Sequence, residues 1–110
     1  MRKKEQTPFP LERDFQAWLV EYLTVRFPKA VIWRHHAASP GRILSRSKKG
    51  MADVLMLHKG RMYAFECKAG KATQLASQMN FQLRWTSAGG LYMVAHDSRE
   101  VEAKFKYWVI

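Results

Sequence analysis

The stretch Gly50-Met51-Ala52-Asp53-Val54-Leu55-Met56-Leu57-His58-Lys59-Gly60-Arg61-Met62-Tyr63-Ala64-Phe65-Glu66-Cys67-Lys68 holds an acid, two apolar runs and a Glu-x-Lys. The runs at 54–57 and 62–65 flank Lys59-Gly60, so they read as the antiparallel strands of a hairpin. A two-residue loop sets His58 opposite Arg61 and, at the far end, Asp53 opposite Glu66. Directly opposed residues share a sheet face, with Cβ atoms roughly 4.5–5.5 Å apart. Lys68 returns to the same face, because strand side chains alternate. Two bare carboxylates at that range repel, and a divalent cation relieves the repulsion. An acid pair with an adjacent ammonium suits metal-assisted hydrolysis of a phosphodiester. The plainer alternative is a structural ion cluster, but one lysine could hardly satisfy both acids inside an otherwise apolar hairpin.

Outward from the hairpin the pattern stays regular. Residues 1–8 are polar and basic and are expected to fray. Pro10 stands where a helix can begin. Leu11, Phe15, Trp18, Leu19, Tyr22 and Leu23 follow at helical spacing until Pro28 closes the segment. Ala30–His36 reads as a short strand, and 37–50, with Ser-Pro-Gly and Ser-Arg-Ser-Lys-Lys-Gly, as an exposed loop. Beyond the hairpin a second helix is expected from about Gln74 to Ser87, with Thr73 able to cap it. After Gly89-Gly90 comes a buried strand, Leu91–Ala95. Asp97-Ser98-Arg99-Glu100 then has the spacing of a capping box for a third helix that turns Val101, Phe105 and Trp108 inward. The order is α-β-β-β-α-β-α. A three-strand meander followed by a βαβ crossover gives one mixed sheet with helices for both faces, an α/β fold.

At 110 residues the chain has the size of one domain, 1–110, and its 47% hydrophobic share fits a packed core. Net charge is +10 and the pI about 10.1. The distribution is more telling than the total. No acid occurs between Glu21 and Asp53, while Arg26, Lys29, Arg34, Arg42, Arg46, Lys48 and Lys49 do. Such a stripe fits a polyanion, above all nucleic acid, better than a basic surface kept for solubility. Cys67 is the only cysteine, which excludes an intramolecular disulfide. It alternates with Glu66 and Lys68 and so is expected to fill the core. There is no apolar stretch like that of a signal peptide or a membrane span, so a cytoplasmic protein is expected.

Further residues gather around the acid pair. Glu12 lies in the first turn of helix one and Gln16 a turn later, in a row with Leu19 and Leu23 that borders the buried stripe. Glu12 is then either a metal partner or an acid that favours the helix N-terminus. Gln78 sits on the second helix beside Leu75, Met79 and Leu83, an apolar face on which an amide needs partners such as a water or a phosphate. His35 and His36 point to opposite faces of a strand, so at most one is expected to reach phosphate.

Gly50-x-x-Asp53, Glu66-x-Lys68, Gln78 and a preceding helix with Glu12 resemble the PD-(D/E)xK nuclease superfamily, and within it the stand-alone VRR-NUC domains of phage and bacteria. The likeness runs from about Glu12 to Ala95. It implies a restriction-endonuclease-like mixed sheet flanked by helices. It also implies Asp53, Glu66 and Glu12 as ligands of Mg²⁺ or Mn²⁺, with the backbone carbonyl of Cys67 joining them. Lys68 would orient the attacking water, and Gln78 and Glu12 would position water or metal. Arg34, Arg42, Arg46, Lys48 and Lys49 are expected to contact DNA. The implied activity is that of a metal-dependent endodeoxyribonuclease selective for branched DNA such as Holliday junctions, acting as a homodimer. A flap-cleaving, restriction-like or RNA-directed nuclease, or a catalytically silent nucleic-acid-binding module, are the alternatives. Three positions depart from the family pattern: Ala52 replaces the usual proline, Leu75 stands where a serine often starts the helix, and Cys67 replaces an aliphatic residue. None removes a group that the chemistry needs.

Overall fold

The computed structural model describes residues 9–35 and 50–108. The basic residues 1–8, His36 and the loop cations Arg42, Arg46, Lys48 and Lys49 lie outside the described residues. The elements are α1 (Glu12–Arg26), β1 (Val31–Arg34), β2 (Val54–His58), β3 (Arg61–Cys67), α2 (Ala76–Ser87), β4 (Leu91–Ala95) and α3 (Ser98–Tyr107). This is the expected order. The four strands form one open sheet in the order β1-β2-β3-β4, antiparallel except for the parallel pair β3 and β4, which α2 connects.

The hairpin register is fixed by its turn. Lys59 and Gly60 both have positive φ, 52° and 79°, as a two-residue primed turn requires. His58 therefore faces Arg61 and Val54 faces Phe65. At the far end the ladder runs past the strand limits. Asp53 N–H donates to Phe65 C=O at 3.0 Å, His35 N–H to Asp53 C=O at 2.8 Å, and Lys68 N–H to Ala95 C=O at 2.9 Å. Backbone hydrogen bonds thus set Asp53 and Glu66 opposite one another at the end of the ladder.

Alternation along the strands divides the core into two layers. Val54, Met56, Tyr63, Phe65, Cys67, Met93 and Ala95 pack against Phe15, Leu19 and Leu23 of α1 and Val101 and Phe105 of α3. Leu55, Ala64 and Tyr92 pack on the other face with Ala52 and with Phe81 of α2. Each fully buried side chain of this size contributes roughly 1.5–3 kcal/mol, so the larger α1/α3 layer supplies most of the stability. Cys67 is 1% exposed within it and fills the core as expected.

The inward face of α2 differs from the expected one. Leu75, Met79 and Leu83 are 62%, 57% and 64% exposed, and Phe81 is the residue buried. Gln78, Phe81 and Trp85 turn toward the sheet, because Glu66 and Tyr92 offer polar partners there that a leucine row could not satisfy. Helix starts also differ. α2 begins at Ala76, and Thr73 plays no capping part: the helix is capped by Leu75, whose N–H donates to Gln78 Oε1 at 2.8 Å. In α3, Asp97 Oδ1 accepts from Glu100 N–H at 2.9 Å as expected. The Glu100 carboxylate accepts instead from His96 N–H at 2.7 Å, one residue before the expected box partner.

Candidate active site

Asp53 opens β2 and Glu66 lies near the end of β3, so the site occupies the end of the sheet away from the hairpin turn. Both carboxylates, with Lys68, point to the α2 face. Glu66 is 1% exposed and Lys68 6%, an unusual depth for ionisable groups. The Asp53 carboxylate accepts from Cys67 N–H at 2.8 Å, which ties the start of β2 to the Glu-Cys-Lys segment. Glu66 Oε2 accepts from Gln78 Nε2 at 2.6 Å and lies 3.6 Å from Lys68 Nζ. Tyr92 Oη donates to Glu66 Oε1 at 3.5 Å.

Gln78 is aimed at both ends: its Oε1 holds the start of α2 while its Nε2 holds Glu66. The close seating of that helix start depends on Gly50. With φ +77° and an added Cβ only 2.2 Å from Ser77 C=O, position 50 admits no side chain. The Gly50-x-x-Asp53 spacing therefore lets the chain pass under the first turn of α2 before the acid.

The electrostatics are those of an under-compensated acid pair. Burial pushes the Glu66 carboxyl up to about 8, the Asp53 charge pushes the same way, and Lys68 only partly opposes them. Asp53 is also raised by burial, although the Cys67 N–H works against the shift. Burial and the same carboxylates push the Tyr92 hydroxyl and the Cys67 thiol upward, so neither is a ready nucleophile or base. A buried and a half-buried carboxyl sharing one lysine form a donor set that fits a hard divalent cation, which would favour both acids in ionised form. No group of three or more His, Cys, Asp or Glu side chains suited to a metal occurs among the described residues. Such an ion would therefore rest on two side-chain carboxylates, with backbone oxygen, water or substrate completing its shell.

The outlying residues fall into two groups. Glu12 approaches from α1, where its Oε2 accepts from Ala69 N–H at 3.4 Å, just past Lys68, and its charge adds to the upward shift of Asp53. It is near the pair without joining it in a three-carboxylate cluster. Gln16 accepts from Arg34 Nη2 at 2.9 Å on the α1 side of the sheet, and Arg34 Nε is buried with no partner among the described residues. The His35 N–H donates to the Asp53 backbone carbonyl across the β1–β2 ladder at 2.8 Å. Tyr92 was not foreseen from sequence. Its signal was its place in β4 at the βα crossover, opposite Ala64 and one strand from Glu66.

No protein-family model matches the sequence, and no curated protein matches it. The fold does have a solved counterpart. It is similar to a structure described as "VRR_NUC domain", with a TM-score of 0.61 and 16% sequence identity, over 86% of this chain and 97% of that one. This chain has the fold of a VRR_NUC domain.

Proposed function

We propose that the protein is a metal-dependent endodeoxyribonuclease that hydrolyses phosphodiester bonds in branched DNA. The observation that carries this reading is the half-buried Asp53 opposite the buried Glu66, with the buried Lys68 beside them, at one end of a sheet whose fold is that of a VRR_NUC domain. Binding alone does not require two opposed acids, one of them buried, in a chain of net charge +10 that would meet a polyanion.

Asp53 and Glu66 would hold Mg²⁺ or Mn²⁺, with the Cys67 carbonyl and, through water, Glu12 as further oxygen donors. When bound, such an ion would supply Lewis acidity toward the phosphate and make a coordinated water more acidic. Lys68, fixed by burial against Glu66, holds the attacking water and faces charge that develops on the phosphoryl oxygens. The water oxygen bonds to phosphorus and gives up a proton to solvent, the bond to the leaving sugar oxygen breaks, and that oxygen takes up a proton from solvent. Gln78 keeps Glu66 in place by its 2.6 Å hydrogen bond. Arg34, with Arg42, Arg46, Lys48 and Lys49, would grip the backbone. A homodimer would set two such sites against the two symmetric strands of a junction.

The test is cleavage of labelled four-way junction, flap, duplex and single strand in Mg²⁺, in Mn²⁺ and in EDTA. The reading predicts metal-dependent cleavage with the junction preferred. Tight binding with no cleavage of any substrate would identify a silent binding module, and equal cutting of all forms would remove the selectivity for branched DNA.

A further inference from the structure

At the hairpin end of the sheet, beneath the C-terminus of α1, lies a cavity of about 340 Å³ lined by Arg26, Phe27, Pro28, Lys29, His58 and Lys59. Its walls carry three cations and no acid. Arg26 sits in the last turn of α1, where a cation also complements the helix dipole. Lys29 and Lys59 lie outside any helix, so that explanation does not reach them. The Arg26 guanidinium is held in place: Nη1 donates to Tyr22 Oη at 2.7 Å, and its carbon lies 4.8 Å from the centre of the Phe105 ring and 5.3 Å from that of Phe27.

His58 makes this more than a basic surface. It is 9% exposed, and its ring lies 5.0 Å from that of Phe27. Its ring makes no hydrogen bond to another described residue. An imidazole at the wall of a cavity can keep its ring nitrogens for whatever enters. The cavity volume falls in the range of small-ligand sites, and a ring of one charge sign around a concavity concentrates counter-ions there.

We propose that this cavity is a second phosphate-binding site, taking a phosphate group carried by a free nucleotide or by a nucleic-acid backbone. It is separate from the acid pair. His58 lies five residues along β2 from Asp53, roughly 17 Å at the rise of a strand. It also faces α1, whereas Asp53 faces α2. A phosphate bound here is not the one being cut. His58 donates or accepts at the floor, Arg26 offers its fixed fork, and Lys29 and Lys59 close the rim as mobile charges.

The test titrates inorganic phosphate, a 5′-mononucleotide and a short duplex into the 110-residue chain at matched ionic strength, with chloride as the control. Binding is read from the amide resonances of Lys59 and Gly60. The variants are Lys29→Gln with Lys59→Asn, since asparagine tolerates the positive φ at 59, and separately His58→Phe, which keeps the ring contact with Phe27. Saturable shifts with phosphate and not with chloride are expected, weakened roughly tenfold for each cation removed and again in His58→Phe. A tighter mononucleotide assigns the site to free nucleotides, and a tighter duplex assigns it to nucleic-acid backbone. Shifts that chloride reproduces, or that survive unchanged in both variants, would overturn the proposal.

Discussion

Glu66 carries the conflict on which the site turns. In the unfolded chain its carboxyl titrates near 4.5, and in the fold burial and Asp53 move it to about 8. Between those values the folded state holds the extra proton. The associated stability is therefore fully present below about pH 4.5 and is lost as pH rises through about 8. The metal-free protein is expected to melt at progressively lower temperature across that window. Glu66→Gln, which cannot ionise, should show a much flatter profile. His96, also raised by its Ala72 carbonyl and Glu100 partners, adds a decline of the same sign to both proteins, so their difference reports the Asp53–Glu66 pair. Parallel melting profiles for the two proteins would contradict the assigned burial of charge. Lys68 makes a second prediction at this scale. If its ammonium acts on charge that develops during reaction, Lys68→Ala should lower turnover by about 10²-fold or more with little change in DNA affinity. A collapse of affinity with an unchanged single-turnover rate would make Lys68 a phosphate anchor instead.

At the scale of elements, the hairpin was legible because its register depends on two residues. Lys59-Gly60 demands a primed turn, and the turn alone then sets Asp53 opposite Glu66. Cys67 was equally readable, since alternation leaves it no face but the core. Helix α2 was misread because hydrophobic spacing points to Leu75, Met79 and Leu83, while the face that is buried must serve a charged strand end. Gln78 has partners on both sides, Leu75 N–H and the Glu66 carboxylate, and no periodicity of apolar residues reports that. The contact of Gly50 with Ser77 was likewise invisible, because it joins segments far apart in sequence. It yields a prediction. Gly50→Ala forces a methyl into the Ser77 carbonyl at a positive φ, so it should cost at least about 2 kcal/mol of stability. It should also lower turnover by moving Gln78 away from Glu66. Equilibrium unfolding together with single-turnover cleavage checks both. Unchanged stability would show that α2 does not rest on this glycine.

At the scale of the whole molecule the charge is unevenly placed. The acids of the site sit at the end of β2 and β3, while the acid-free stretch between Glu21 and Asp53 carries seven cations. The segment holding Arg42, Arg46, Lys48 and Lys49 leads into the strand that bears Asp53, which ties it to the proposed DNA path by chain connection alone. Each phosphate contact that is lost should reduce the magnitude of the slope of log K against log salt by about 1. Changing Arg46, Lys48 and Lys49 together to Ala should therefore weaken DNA binding and flatten the slope by up to about three units. An unchanged slope would place the contacts elsewhere on the surface. Among the described residues no helix is long and apolar enough to cross a membrane.

The central claim is that Asp53 and Glu66 hold the metal that supports cleavage. It is tested most directly by measuring four-way-junction cleavage and metal-free DNA binding side by side for wild type, Asp53→Ala and Glu66→Ala across a Mg²⁺ titration. Wild type should cleave with a saturable dependence on Mg²⁺. Both variants should lose cleavage at every Mg²⁺ concentration while binding DNA without metal at least as tightly as wild type, since each removes a carboxylate that repels phosphate. Retained cleavage in both variants, with the Mg²⁺ dependence of wild type, would contradict the account.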